Sequence, residues 1–222
     1  RLADVVGRGR GTSPPKRGAS ASTSRIDGTE LAFPVISVSI NRDLDAAIER
    51  VASRQAGAFA RHQVLTAAGT DKVISARLRS GRWRPTSCRG VYALSGAPFT
   101  HRQRLWTAHL AAGAHSVVSH EAAGHLTYLS TFGPDAVVLT VDHPSHLRIP
   151  GAFVHQITDL SPRWVWNLEG LPVTTTARTI VDLASVCSKP RLELVVDHAL
   201  AAQRVSQSAV AACLYEVLRP GK

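Results

Sequence analysis

The sequence is short of several residue types, and each shortage excludes a class of protein. Its 222 residues include no methionine and only three cysteines, Cys88, Cys187 and Cys213. An odd number of widely spaced cysteines excludes a disulfide scaffold and is typical of a protein in the reducing cytoplasm. The absence of methionine also predicts that Arg1 is not the native first residue.

Long apolar segments are also missing. No uncharged apolar stretch approaches the roughly 18 residues that a membrane-spanning helix needs, so we do not expect a transmembrane protein. The apolar run 31–40 comes late in the chain, contains Pro34 and lacks a small-residue cleavage site, which argues against a secretory signal. With 44% hydrophobic residues, the chain is long enough for one or two cytoplasmic domains with a hydrophobic core.

Positive charge is abundant, and most of it lies in the first 95 residues. The 26 Lys and Arg residues outnumber the 16 Asp and Glu residues, which sets the net charge at +10. Residues 1–42 carry +4, residues 43–95 carry +5, and residues 96–222 carry only +1. Such a balance favours a polyanionic partner, either nucleic acid or an anionic membrane surface, and assigns that contact to the N-terminal part of the chain.

Composition and periodicity divide the chain into three segments. Residues 1–40 are rich in Gly, Ser, Pro and Arg and poor in aromatics, so we predict a disordered basic extension. Residues 41–95 have the period of short helices followed by a hairpin, and residues 96–222 contain both helical and strand-like stretches. These patterns predict an α+β fold in which a winged helix-turn-helix precedes a mixed α/β domain.

The winged-helix prediction rests on the order of the elements that follow Asn41, which is available as the first N-cap. Thr70 is available to cap the third helix, and Gly81 ends that helix. The second helix has Val64 and Leu65, with Ala68, as its predicted apolar face. The predicted elements are three helices and then two strands, at 43–54, 61–68, 71–80, 82–87 and 91–94.

The third predicted helix has the surface that DNA recognition requires. Ile74 and Leu78 fall on one face, where they are expected to pack against the first two helices. Lys72, Ser75 and Arg79 fall on the opposite face, where a small serine lets the helix approach DNA closely. Base contacts from a helix combined with phosphate contacts from a hairpin are typical of double-stranded DNA recognition. The predicted DNA-binding residues are Arg61, Lys72, Ser75, Arg79, Arg82, Arg84 and Arg89.

Three sequence blocks are informative as a set. They read GRWR at 81–84 with RGVYAL at 89–94, AAGA at 111–114 with VVSHEAA at 117–123, and GLPVT at 170–174 with ARTIVDLA at 177–184. In this order they resemble the AbiEi-type antitoxins of type IV toxin–antitoxin systems, over residues 42–218. The resemblance implies that the winged helix binds the promoter of its own operon. It also implies that the following domain supports antitoxicity against a nucleotidyltransferase-like toxin.

The mixed α/β domain is predicted to contain five helices and two strands. Thr100, Ser119 and Ser206 are available as helix N-caps. Arg178 and Asp182 lie four residues apart on one helix, where they could form a surface contact, dock the helix onto the strands or bind a phosphate. The predicted helices lie at 101–112, 120–129, 175–187, 191–203 and 207–219, and the strands at 136–141 and 152–155.

No catalytic or metal-binding motif is complete in the sequence. His120 and His125 resemble the histidine pair of zinc proteases, but they lie five residues apart and a zincin needs a spacing of four. No acidic or cysteine ligands cluster near His143 and His146, and no Gly-x-Ser-x-Gly elbow surrounds Ser119. We therefore expect no enzymatic activity, no cofactor and no metal.

These observations lead to one hypothesis and two alternatives. We predict a cytoplasmic DNA-binding antitoxin and transcriptional autorepressor that binds promoter inverted repeats as a homodimer, with a nucleotidyltransferase-like toxin as a candidate partner. The first alternative is the targeting portion of a Vsr-like endonuclease-family protein. The second is a protein-interaction module without specific DNA binding.

Overall fold

The structure is a computed structural model that describes residues 33–129, 131–141, 147–158 and 160–218. Two of the sequence-based predictions fall outside these ranges. The basic extension before Phe33 is one of them, and the histidines flanking Pro144 are the other.

The N-terminal part is a winged helix-turn-helix, which confirms the prediction. Its three strands pair antiparallel in the order β1-β3-β2, so the last strand lies in the middle of the small sheet. Its elements are α1 (Phe33–Arg54), β1 (Ala58–Ala60), α2 (Arg61–Thr66), α3 (Asp71–Arg79), β2 (Trp83–Pro85) and β3 (Val91–Leu94).

Helix α1 differs from its prediction at its N-terminal end. It begins at Phe33, ten residues before the predicted start, so Asn41 lies inside the helix and does not cap it. The prediction of disorder is therefore wrong for residues 33–40, which are helical. Pro34 is the second residue of the helix, where a missing N–H interrupts no helical hydrogen bond.

Helix α3 follows its prediction closely. The Thr70 hydroxyl accepts a hydrogen bond from the Val73 N–H at 3.3 Å, and Ile74 is buried. Gly81 has a φ of +70°, a conformation that ends a helix at low cost in glycine. The apolar face predicted for α2 is partly wrong, because Val64 is buried whereas Leu65 and its neighbour Ala68 are exposed.

The C-terminal part contains a five-stranded mixed sheet, and the whole chain therefore has an α+β fold. The strand order is β6-β5-β4-β8-β7, with parallel pairing of β5 with β6 and of β4 with β8. The sequence did not predict β4 or the β7–β8 hairpin. The elements are α4 (His101–Ala112), β4 (Ser116–Val118), α5 (His120–Leu126), β5 (Val138–Val141), β6 (Phe153–Gln156), β7 (Val165–Leu168), β8 (Leu171–Thr174), α6 (Thr176–Leu183), α7 (Lys189–Ala201) and α8 (Gln207–Val217).

One hydrophobic core runs through both parts of the chain, across the boundary predicted at residues 95–96. Alternation along the strands directs Phe59, Trp83 and Tyr92 toward the winged-helix core. The opposite face of the small sheet packs on α4, so that Ala58 and Val91 share a core with residues of the second sheet. The position of the β2–β3 hairpin, which forms the wing, is therefore set by packing against α4.

The structure also bears on the cysteines and on membrane insertion. Cys88, Cys187 and Cys213 are free thiols, and Cys88 and Cys213 are buried. Burial raises the pKa of the Cys213 thiol to about 11, which keeps this thiol protonated near neutral pH.

Within the described ranges no helix is both long enough and apolar enough to cross a bilayer.

Candidate nucleic-acid interface

Helix α3 presents a polar, positively charged face to solvent. Lys72, Ser75 and Arg79 are exposed, whereas Ile74 lies in the winged-helix core. The Arg79 Nε donates to the Ser75 carbonyl at 3.4 Å, a contact too long to hold the guanidinium firmly. Neither Lys72 nor Arg79 forms an ion pair with any described residue. The structure thus places three of the seven predicted DNA-binding residues side by side on one exposed helix face.

The only acid of α3 is neutralised by a cation from α2. The Arg61 guanidinium donates to both carboxylate oxygens of Asp71, with Nε–Oδ1 and Nη2–Oδ2 distances of 2.7 and 2.5 Å. The bidentate contact lowers the pKa of Asp71 below its ordinary value. Asp71 therefore adds no uncompensated negative charge beside the basic face, but Arg61 is engaged in this pair.

A second carboxylate anchors the basic helix to the scaffold. Asp45 of α1 accepts two hydrogen bonds from Arg77, at 2.8 and 2.9 Å, and a third from the Arg82 Nη1 at 2.6 Å. Asp45 and Arg77 are mostly shielded from water, whereas the Arg82 side chain is 63% exposed. This arrangement fixes α3 and the start of β2 against α1. Arg82 thus remains accessible although it is paired.

The Asp45 contacts predict a measurable loss of stability on substitution. We expect Asp45→Asn to lower the free energy of unfolding by about 2 kcal/mol, because Arg77 loses its charged acceptor in a partly buried position. The Arg82 contact adds little, since that side chain is exposed. Urea denaturation measures the change. Asp43→Asn, an exposed acid on the same helix, is the matched control, and equal stability of the two variants would contradict the role of Asp45.

Arg84 is engaged on the inner side of the wing. Because strand residues alternate, it lies on the sheet face opposite Trp83 and toward α4. Its Nη2 donates to the Gln103 Oε1 at 2.7 Å and to the Ala97 carbonyl at 3.2 Å. The Gln103 amide in turn donates to the Ala56 carbonyl at 2.9 Å. Because Arg84 faces α4 and not the outer side of the wing, and its Nη2 is engaged in these contacts, we leave Arg84 out of the interface proposed below.

Arg89 occupies the tip of the wing, which we define as residues 86–90. The Thr86 hydroxyl closes the turn, because it contacts the Cys88 and Val91 carbonyls at 3.2 and 2.8 Å. Gly90 has a φ of +79°, which favours glycine at this turn position. Arg89 is exposed and has no hydrogen-bond or ion-pair partner among the described residues. It therefore extends the exposed positive charge beyond α3.

A buried polar cluster in the C-terminal part was not predicted. Ser119 holds the N-cap position of α5 as expected, but its hydroxyl does not cap the helix. It accepts a hydrogen bond from Thr140 at 2.7 Å and contacts the His120 Nδ1 at 2.9 Å. The His120 ring stacks on His155 with a centroid distance of 3.8 Å. His120 also has a φ of +51°, an unfavourable conformation for a residue with a side chain.

A buried ion pair between Arg178 and Asp182 lies beside His120 and His155 in the same cluster. The Arg178 Nε donates to the Asp182 Oδ1 at 2.7 Å, and both side chains are more than nine-tenths buried. The sequence left three interpretations of this pair open, and its burial excludes the first of them, a contact at the protein surface. Burial raises the pKa of Asp182 above its ordinary value, although Arg178 opposes the shift. The second carboxylate oxygen of Asp182 is buried without a hydrogen-bond partner among the described residues.

This cluster lacks the geometry of a hydrolytic or metal centre. Ser119 is fully buried, so its hydroxyl has no access to a substrate. His120 stacks on His155, whereas the His125 Nδ1 contacts the Phe132 carbonyl at 3.2 Å, so the two histidines do not converge. In the described part of the chain, no three His, Cys, Asp or Glu side chains are grouped to hold a metal ion.

Comparison with known proteins identifies no family for this chain. No family model matches it, and no curated protein matches it either. Among solved structures it is similar to the crystal structure of the Rv2827c protein from Mycobacterium tuberculosis, with 17% sequence identity and a TM-score of 0.37. The alignment covers 81% of this chain and 82% of that one.

Proposed function

We propose that this chain is a double-stranded DNA-binding protein that represses transcription by occupying a promoter. In this proposal α3 enters the major groove, where Lys72, Ser75 and Arg79 face the base edges. The observation that carries the proposal is the exposed face of α3, on which these three side chains lie together and the single acid is paired. Arg89, at the wing tip, contacts a phosphate on the flank of the site.

The distribution of charge supports the same proposal. Residues 1–95 hold nine of the ten net positive charges, and the winged helix belongs to this region. Cations that neutralise phosphates release condensed counterions, so the affinity depends steeply on salt concentration. The exposed Arg82 adds to this attraction while it remains paired with Asp45. The nearly neutral C-terminal part is suited to contact with a protein.

The biological setting in this proposal is a type IV toxin–antitoxin operon. The resemblance of the three sequence blocks to AbiEi-type antitoxins supports it, and the chain then acts as the autorepressor of that operon. Two copies bind an inverted repeat, with one α3 in each of two adjacent major grooves. A nucleotidyltransferase-like toxin is the proposed protein partner, and the C-terminal part is the proposed region of antitoxicity.

Fluorescence anisotropy with the full chain tests the proposed DNA binding. The labelled duplex is the DNA upstream of its own gene, and the control is a scrambled duplex of equal length and composition. We expect tighter binding to the upstream duplex, with log K falling linearly against log salt for both duplexes. The basic residues before Phe33 add the same nonspecific attraction to both, so the ratio of affinities reports specificity.

Two outcomes would contradict specific repression. Equal, weak binding to both duplexes would favour a protein-interaction module whose positive charge is incidental. Magnesium-dependent cleavage of the duplex would favour the targeting portion of an endonuclease-family protein. A pull-down with the candidate toxin, repeated at high salt, separates protein recognition from charge attraction.

A further inference from the structure

A cavity of about 360 Å³ lies between the wing and helix α4, and we refer to it as the junction cavity. Its walls come from both parts of the chain, including Arg84 and Cys88 from the winged helix and Gln103 and Val137 from the C-terminal part. A volume of this size accommodates a small organic molecule. The junction cavity belongs neither to the proposed DNA interface nor to the buried polar cluster.

The lining of the junction cavity combines apolar walls with positive charge. Cys88, Ala108 and Val137 are buried side chains that provide an apolar interior. Arg84 and Arg104 also line the cavity, and its described lining contains no acidic residue. Apolar walls with a few convergent polar groups are typical of small-molecule sites. The charge selects an anionic group on the ligand.

An exposed aromatic ring stands at the same cavity. Phe99 lines it and is 75% exposed, which is costly for so large an apolar side chain. The Arg84 guanidinium carbon lies 6.0 Å from the centroid of the Phe99 ring. An exposed aromatic ring beside a half-buried cation provides a planar surface and a charge to the same ligand.

We propose that the junction cavity binds a small aromatic carboxylate and that this ligand weakens DNA binding by the wing. The carboxylate pairs with the fork of Arg84, the geometry that guanidinium groups favour for carboxylates. The aromatic ring lies against Phe99 and the apolar wall near Val137. The ligand site rests on the cavity alone, whereas the effect on DNA rests also on the proposed function.

The same contacts connect ligand binding to the wing. Arg84 bonds to Gln103 on α4 and to the Ala97 carbonyl, so it holds β2 against the C-terminal part. A carboxylate that pairs with Arg84 competes with these two acceptors. Cys88 lines the cavity and directly precedes Arg89 in the chain, so in this proposal a ligand that breaks the Arg84 contacts also shifts the residue that carries the proposed phosphate contact. A ligand that binds more tightly when the contacts of Arg84 with Gln103 and Ala97 are broken shifts the wing away from the position it holds in this structure.

Isothermal titration calorimetry of the full chain without DNA tests the ligand site. Benzoate is the probe, and benzamide is the neutral control of equal shape. We expect benzoate to bind at least tenfold more tightly than benzamide, because only the carboxylate pairs with Arg84. Arg84→Gln is expected to remove this preference. Equal affinities, or no saturable benzoate binding, would overturn the site.

A second variant, at an exposed position, tests the ligand site even if the Arg84→Gln variant does not fold. Phe99→Ala removes an exposed ring and is expected to weaken benzoate binding at least fivefold. Phe153→Ala is the matched control, because Phe153 is 73% exposed and does not line the junction cavity. Equal benzoate affinity of the Phe99→Ala variant and the wild type would overturn the assignment of Phe99 and the site with it.

Operator anisotropy at saturating benzoate tests the effect on the wing. We expect the affinity for the upstream duplex to fall at least threefold, and benzamide at the same concentration to leave it unchanged. An unchanged affinity with benzoate bound would overturn the regulatory effect. If the ligand-free protein binds no DNA, the proposed function and this regulation both fail, while the calorimetry still decides the ligand site.

Discussion

Replacing Arg79 by alanine is expected to weaken binding to the upstream duplex by about tenfold to a hundredfold. The side chain lies on the exposed face of α3, one helical turn after Ser75 and on the side opposite the buried Ile74. A bidentate contact between an arginine and a base edge contributes about 1–3 kcal/mol to discrimination. Because the lost contact reads sequence, affinity for a scrambled duplex should fall less.

Fluorescence anisotropy measures this loss of affinity, and replacements of two other arginines serve as comparison variants. Arg89→Ala, at the wing tip, should weaken the upstream and scrambled duplexes to the same extent, because a phosphate contact carries no sequence information. Arg148→Ala removes an exposed arginine of the C-terminal part and should leave both affinities unchanged. If Arg79→Ala leaves operator affinity unchanged, α3 is not the recognition helix.

Acid conditions are expected to destabilise the protein in part through His120. Burial, together with the neighbouring His155 and Arg178, lowers the pKa of His120 to about 3, against an ordinary value of 6.5. The unfolded chain therefore binds a proton at this histidine below pH 6.5, whereas the folded chain stays neutral there. The free energy of unfolding is unaffected by His120 above pH 6.5 and decreases as the pH falls toward 3.

The size of this effect follows from the difference between the two pKa values. Each pH unit below 6.5 removes about 1.4 kcal/mol, so the loss through His120 between pH 7 and pH 4.5 is about 3 kcal/mol. His120→Asn should abolish this part of the pH dependence, and asparagine tolerates the left-handed backbone conformation at this position. Urea denaturation at the two pH values measures the difference between variant and wild type.

The matched control for this measurement is His115→Asn. His115 is exposed and lies only five residues before His120, so its replacement should leave the loss of stability at pH 4.5 intact. The pKa values of His101 and His109 are also lowered, so these histidines also decrease the stability at acid pH. Because they do so equally in the wild type and in both variants, their contribution cancels in the comparison. If the free energy of unfolding falls by the same amount between pH 7 and pH 4.5 in His120→Asn and in the wild type, His120 is not the source of this pH dependence.

The winged helix could be predicted from the sequence because its determinants are local. Thr70 caps α3 and Gly81 ends it through contacts with neighbours in the chain, and periodicity assigns Ile74 to the buried face. The exposed positions of Lys72 and Arg79 follow from the same helical geometry. Strand β1 was missed because three residues are too few to show an alternating pattern. The early start of α1 was missed because an apolar run with a proline has no distinctive period.

Only the tertiary structure decided which charged residues remain available for a ligand. Arg82 and Arg84 are two residues apart in sequence, but Asp45 on α1 engages the first and Gln103 on α4 engages the second. The buried cluster around His120 likewise combines residues from strands that are distant in sequence, and spacing along the chain does not report such contacts. Local sequence thus determined helix α3, with its exposed basic face, and the overall charge of this protein. Long-range packing determined the partners of its arginines and created the junction cavity.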